Sequence, residues 1–397
     1  MGYKVPHWIS LQIVGTDSSF YPVAHTQNLG TAVTDEARVQ TRMAFSGSIS
    51  GLIAQIRVGN STNTSTFTVR KNGVDTALTL TIATSAAGTF INTTDTITFS
   101  AGDLLSIGLT TVAGSIGSLI GLGFKLEADD GESYMVYMAY AIYASFSNTN
   151  DTFAPVAGKM VSNLAVDSQA ENYLQQASTI VSLAGYANAN TRTGSMVIRN
   201  RINGANGSFV VTIPALTTGL FYTDTTDSVS AGDLINNYLK TGGSGSCSMS
   251  NIQTTIKSTD PRKISLLDTT RMTRTNPVDR RYSFLGGAFL STGVVQYTIY
   301  NTNGVVSNMA ILAGGSSTAD LILNTVINGT AGNQTVTVLS GGAAWYIDTT
   351  NTDTLTTSDY ASITHTRIVS STGSTTLVSQ SFLFTMDVIS TLRIIMS

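Results

Sequence analysis

One pattern, written three times, constrains this chain more than any other feature. It reads FTVRKNGVDTALTLTIATSAAGTFINTTDTITFSAGDLL from Phe67 to Leu105 and MVIRNRINGANGSFVVTIPALTTGLFYTDTTDSVSAGDLI from Met196 to Ile235. The third version, LILNTVINGTAGNQTVTVLSGGAAWYIDTTNTDTLTTSDY, runs from Leu321 to Tyr360. Each holds an Asn-Gly pair, a threonine-rich strand, an aromatic, an Asx-Thr-Thr turn and a closing aspartate. The steps Gly73 to Asp103, Gly204 to Asp233 and Gly329 to Asp359 are 30, 29 and 30 residues, and successive glycines stand 131 and 125 apart. A period of that size is a whole domain and not a solenoid unit. At 397 residues the chain has room for three.

Within each copy the apolar residues alternate with period two, as in Phe67, Val69, then Leu78, Leu80, Ile82; Phe209, Val211, Ile213; and Val336, Val338. The Asn-Gly pairs separate two such runs and supply the positive φ angles of a tight hairpin. The Asx-Thr-Thr turns at Asn92, Asp224 and Asp348 bond back to their own backbone and disfavour helix. Short strands with this punctuation specify an all-β chain of three tandem antiparallel β-sandwich domains.

The repeat extends upstream, where Tyr21-Pro22-Val23-Ala24 is echoed by Ala154-Pro155-Val156-Ala157. Alternating apolar stretches precede both, Trp8 to Val14 and Tyr137 to Tyr143, and their third counterpart is expected at Tyr282 to Leu290. Two short segments leave helix and strand open: Ser168 to Ala177, which fits a capping box, and Thr34 to Phe45. The acidic run Glu127 to Glu132 and the basic run Asp260 to Arg281 read as linkers. The expected domains are therefore 1–127, 134–259 and 282–397, with linkers at 128–133 and 260–281 and an unusually apolar C-terminal tail. That tail, from Phe382 through Met396, either closes the third sheet or is covered by a partner.

Only 11% of residues are charged, the net charge is −3 and the sequence pI is about 5.6. Such a balance gives no electrostatic footprint for nucleic acid. It suits surfaces covered by a neighbour, because a buried hydroxyl needs one hydrogen bond whereas a buried unpaired charge is costly. No run is long and apolar enough for a membrane helix, and MGYKVPHWISLQIVG lacks the regions of a signal peptide, so folding inside a cell is expected. The single Cys247, in GGSGSCSMS, cannot form an intrachain disulfide and reads as an incidental thiol in a flexible stretch.

The stretch Leu52 to Leu105, with FTVRKNGVDTALTLTI and then NTTDTITFSAGDLLSI, resembles jelly-roll modules of the C1q and tumour-necrosis-factor type found in bacteriophage head-decoration and fibre proteins. The likeness continues through the second copy and thins in the third. It implies a two-sheet jelly roll in each domain and association about a three-fold axis. It brings no catalytic residue.

No constellation of residues points to an enzyme. His7, His25 and His365 are scattered and none has metal-ligand spacing. Asp95 with Asp103, and Asp224, Asp227 and Asp233, could gather around calcium, but turn-forming aspartate is the plainer reading, and no metal or cofactor is assigned. Tyr137, Tyr140 and Tyr143 fall on both faces of a strand, which suits burial at a domain or subunit interface; a sugar platform is the alternative. With Phe382 and Phe384 of the tail they are the candidate interface residues. The expected function is a non-enzymatic structural virion protein, assembled in the host cytoplasm as a homo-oligomer, with a trimer favoured, alongside other virion proteins. The alternatives are an adhesin for a host-surface glycan and a filament subunit that donates its apolar tail.

Overall fold

The computed structural model describes residues 2–14, 19–27, 33–58, 63–111, 118–147, 151–160, 164–274, 281–284, 287–292, 298–299, 302–314, 320–357, 359–367 and 375–387. These contain strands and two single 3-10 turns, Glu36–Arg38 and Asp167–Gln169, and no α-helix. The first jelly roll comprises β1 (Val5–Val14), β2 (Ser19–Pro22), β3 (Thr26–Gln27), β4 (Thr41–Arg42), β5 (Gly47–Val58), β6 (Ser65–Lys71), β7 (Val74–Ile82), β8 (Gly88–Ile91), β9 (Thr96–Phe99), β10 (Leu104–Thr111) and β11 (Ser118–Ala128). The second comprises β12 (Tyr134–Phe146), β13 (Thr152–Ala154), β14 (Gly158–Lys159), β15 (Asn172–Tyr173), β16 (Ser178–Asn190), β17 (Met196–Ile202), β18 (Ala205–Ile213), β19 (Gly219–Thr223), β20 (Asp227–Val229), β21 (Leu234–Thr241) and β22 (Cys247–Ser258). The third comprises β23 (Lys263–Arg274), β24 (Arg281–Phe284), β25 (Gly287–Thr292), β26 (Thr298–Ile299), β27 (Gly304–Gly314), β28 (Leu321–Ile327), β29 (Thr330–Val338), β30 (Trp345–Leu355), β31 (Tyr360–Arg367) and β32 (Thr375–Met386).

Each roll is two sheets. In the first, β3-β1-β11-β5-β8 lies against β2-β10-β6-β7; in the second, β14-β12-β22-β16-β19 lies against β13-β21-β17-β18. In the third, β23-β32-β27-β30 lies against β25-β24-β31-β28-β29. The short strands β4, β15 and β26 pair with β10, β21 and β31, so the central wiring recurs in each roll; the third differs at its edge, where β25 pairs with β24 and no described strand joins β23 as β3 and β14 join β1 and β12.

The repeated pattern is a clamp. Asn72-Gly73, Asn203-Gly204 and Asn328-Gly329 all sit at positive φ, 53° and 79°, 50° and 77°, and 52° and 81°, as the hairpin turn requires. The asparagine Nδ2 then donates to the closing aspartate: Asn72 to Asp103 at 2.8 Å, Asn203 to Asp233 at 2.8 Å and Asn328 to Asp359 at 2.6 Å. Its Oδ1 accepts from the residue after that aspartate, and the second carboxylate oxygen accepts a backbone N–H from Ser100, Ser230 or Thr356. These bonds fix the near-constant spacing of the pattern. The Ser100 N–H, and then the Asn72 amide, hold the Asp103 carboxyl below its usual range.

Four expectations need correction. Residues 260–281 are not a linker throughout, because β23 occupies Lys263–Arg274 and pairs with β32, Ile264 opposite Phe384 and Leu266 opposite Phe382. Its charged residues suggested solvent, yet Ile264, Leu266 and Leu267 are buried. The third counterpart of β1 and β12 is therefore β23, since Val5, Tyr134 and Lys263 begin their strands at equal steps of 129 residues. Tyr282 belongs one element later, in β24, which pairs with β31 as β2 pairs with β10. The possible helices reduce to the two 3-10 turns followed by β4 and β15, and Ser168 lies inside its turn and is not a cap. Cys247 opens β22, is fully buried, and has its thiol pushed up to about 11 by burial.

Candidate interface

The tyrosine-rich strand β12 is buried on both faces. Tyr134, Val136, Met138 and Tyr140 belong to the core of the first roll, while Met135, Tyr137 and Ala139 belong to that of the second and third. Tyr137 is 1% exposed and Tyr140 2%, so neither offers a platform to a sugar. The Tyr137 hydroxyl donates to the Ser265 carbonyl of β23, and burial pushes its pKa up. Tyr134 stacks on Phe45 of the first roll at 4.2 Å between ring centroids. Tyr143 lies on β12, but its side chain is outside the described residues. Phe382 and Phe384 are fully buried in β32, between β23 and β27 of their own sheet. The tail through Met386 thus closes the third roll's own sheet, and the rest of it lies outside the described residues.

Consecutive rolls meet through the same elements. At the first joint the His25 N–H donates to the Val136 carbonyl at 2.7 Å, and the Met138 N–H donates to the His25 carbonyl at 3.0 Å. The Val136 side of β12 also donates its N–H to His7 Nε2 at 3.1 Å, while His7 Nδ1 lies 3.2 Å from the Val5 carbonyl. That pattern needs a neutral ring, and burial drives the His7 pKa down to about 3 against the Val5 bond. From β4 the Arg42 N–H donates to Gln253 Oε1 at 2.9 Å, and its guanidinium grips Asp224 at 2.9 and 2.8 Å. The same guanidinium lies 3.6 Å from the Tyr222 ring centroid. Arg38 Nε reaches Ser250 at 3.0 Å, and Asn251 and Gln253 amides return to the Arg38 and Gln40 carbonyls at 2.8 Å.

The second joint repeats the geometry with neutral groups. Asn172 and Tyr173 of β15 stand where Thr41 and Arg42 stand on β4. Asn172 Oδ1 accepts from Val156 and Ala157, and its Nδ2 donates to Thr269 at 2.8 Å and Ser379 at 3.3 Å. Gln175 Nε2 donates to the Asn308 carbonyl and to Ser381, each at 2.9 Å, and the Ser265 hydroxyl accepts from the Gln175 N–H. Tyr173 packs on Trp345, ring centroids 5.3 Å apart, in place of Arg42 on Tyr222. Gly158, φ 109°, brings β14 so close to β23 that a Cβ would lie 2.3 Å from the Thr269 carbonyl oxygen.

The third roll closes on the first. β25 and β26 lie against β1, and β26 also against β11, as β15 lies against β23 and β32. Thr302 Oγ1 donates to the Lys4 carbonyl at 3.4 Å, and Val5 joins the core cluster of the second and third rolls. Three joints between consecutive rolls therefore form a closed ring within a single chain.

The aspartates proposed for calcium have other partners. Asp95 accepts from Asn92 at 2.6 Å, Asp227 from Asn200 at 2.7 Å and Ser208 at 2.8 Å, and Asp224 from Arg42. Among the described residues no three His, Cys, Asp or Glu side chains gather as metal ligands. No helix among them is long and apolar enough to cross a membrane. Sequence reasoning missed Arg42, Asp224, Asn172 and Gln175, because Arg42 and Asn172 sat in segments left open between helix and strand and Asp224 read as ordinary turn chemistry.

No protein-family model and no curated protein matches the chain. Among solved structures, one described as the triple jelly roll fold and turret assembly in an archaeal virus is similar at TM-score 0.20 and 12% identity, over 97% of this chain and 90% of that one. Another, the atomic structure of Sulfolobus turreted icosahedral virus, is similar at TM-score 0.20 and 13% identity, over 98% of this chain and 91% of that one. The fold is assigned on the chain's own sheets: three jelly rolls in one polypeptide, built on a common central wiring and joined in a ring.

Proposed function

We propose that the chain is a non-enzymatic structural subunit of a virion, a capsid decoration or a fibre or tail component, that assembles with copies of itself and with other virion proteins. The observation that carries the reading is the closed ring, in which β12 and β22 are buried on both faces by neighbouring rolls. Such a ring is a rigid block with three similar corners, suited to repeating contacts in a symmetric shell or shaft. Its joints consume the conspicuous chemistry of the chain: Arg42, Asp224, His7, Asn172 and Tyr137 all serve contacts between rolls.

Electron microscopy and quantitative mass spectrometry of purified particles test the role. The chain should be present in fixed stoichiometry and resolve as a three-lobed block. Recovery as a free monomer, with none on particles, overturns the reading.

A further inference from the structure

Each jelly roll has two edge sides; the ring runs through one of them and touches the other only at its base, at Tyr222, Asp224 and Trp345. The sheet ends at β3, β14, β23 and β25 meet neighbouring rolls. The opposite ends are β7 and β8, β18 and β19, and β29 and β30. Of the eight large apolar side chains exposed among the described residues, seven lie on these six strands or on the loops between them. Ile91, Tyr222 and Ile347 stand 131 and 125 residues apart, the same steps that separate the turn glycines, so one exposed apolar position recurs in every roll. Val74, Leu216 and Leu339 add tips that are 67%, 69% and 55% exposed.

Two further observations mark these corners as contact surfaces. Leu216 is held at φ 61°, a conformation costly for leucine, in a loop fastened by the Asn190 amide to the Pro214 and Thr217 carbonyls at 2.9 and 3.0 Å. None of the six strands contains Lys, Arg or Pro, the residues with which natural sheets blunt an open edge. The gap is wider than the strands: no lysine or arginine occurs from Val74 to Phe124, from Ala205 to Leu239 or from Thr330 to Thr366. An open edge that carries exposed apolar side chains and no lysine, arginine or proline is a template for another strand.

We propose that these three corners dock a second copy of this chain, edge strand to edge strand, with the recurrent apolar side chains closing over the contact. An antiparallel edge is self-complementary about a two-fold axis, so a copy of the same corner fits without further features. The strands themselves carry no cation, and the arginines that reach them are already engaged, Arg70 with Asp75, Arg201 with Asn206 and Arg42 with Asp224; a ligand read by one site would leave its mark on one roll, not three. The corner is also continuous with a contact the chain already builds, since Tyr222 and Trp345 at its base pack under Arg42 and Tyr173 of the preceding roll. The proposal rests on the reading of the chain as an assembly subunit and names the surface that assembly uses.

Sedimentation velocity of the purified full chain tests it, with Val74→Lys, Leu216→Lys and Leu339→Lys combined, one change per corner. The wild type should associate with rising concentration, and the lysine variant should associate at least about a hundredfold more weakly with an unchanged thermal melt. Ile91→Thr with Ile347→Thr serves if the lysine variant fails to fold, and should weaken association in the same direction. Amides of β8, β19 and β30 should gain hydrogen-exchange protection on assembly. A variant that associates like the wild type, or a wild type that stays a single chain at its highest soluble concentration, overturns the proposal. Self-association intact in a chain absent from particles would sink the virion role and leave the corner standing; particle incorporation with undiminished variant association would do the reverse.

Discussion

The joint between the first and second rolls and the joint between the second and third use the same strands and opposite chemistry. At the first, a guanidinium from β4 grips a carboxylate and covers a tyrosine; at the second, an amide from β15 divides itself among backbone and hydroxyl groups while a tyrosine meets a tryptophan. Backbone position is held constant and side chains are free to drift around it. The β-bulge in β6, β17 and β28 teaches the same lesson. It is held by the Thr76 hydroxyl on the Val69 carbonyl in the first roll, by Asn200 with Asp227 in the second, and by Thr325 with Asp353 in the third. Geometry is the inherited quantity.

The comparison can be broken most forcefully at β32, the strand that closes the third roll's own sheet. Phe384→Ala should cost about 3–5 kcal/mol, and calorimetry should show the whole chain melting earlier in one transition. Separate melting of the first two rolls would mean that the joints do not couple them. Truncation after Gln380 should unfold the third roll outright, since β32 lies between β23 and β27.

Next in size is Asn172→Ala, which strands the Val156 and Ala157 N–H groups and should cost about 1–3 kcal/mol regardless of salt. Asp268 sharpens the same joint with the opposite sign. It is 1% exposed, its carboxyl accepts from Gln380 at 3.2 Å, and burial holds its pKa well above the usual carboxylate range. The unfolded chain therefore loses this proton at lower pH than the folded one, and stability falls as pH rises from the ordinary carboxylate range toward the folded pKa. Asp268→Asn should flatten that slope and raise the melting temperature at neutral pH. A variant with the wild-type slope would show that the carboxyl is not buried as described.

Smallest is Arg42→Ala at the first joint. Asp224 is substantially exposed, so the loss should stay at or below about 1 kcal/mol and shrink as salt is added, whereas the Asn172 effect should not. Equal salt responses at the two joints would erase the distinction between them.

Much of a single roll was legible because its fixed points are local. Asn72 and Asp103, thirty-one residues apart, are direct partners, and turn chemistry and alternation report them without any knowledge of the whole. The ring was not legible. Its contacts join residues such as Arg42 and Asp224 whose pairing depends on how two rolls lie together, and neither is unusual in its own segment. β23 was lost because Lys263, Arg271 and Arg274 in its sequence resemble a solvated linker, while the Pro-Val-Ala marker that aligned the first two copies is missing from the third. The docking corners left a sequence signal after all: the long lysine- and arginine-free windows that follow each Asn-Gly pair.

The doubly buried β12 also sets an order of events during synthesis. Tyr134, Val136, Met138 and Tyr140 form one wall of the first roll's core, although they belong to the next roll's leading strand. A chain growing from a ribosome cannot complete its first roll when the last residue of β11 emerges; it must wait for the opening strand of the second. By the same rule the second waits for β23, and the first strand waits longest, until the third roll arrives to cover it. Translation builds this protein as an arch whose two ends meet last.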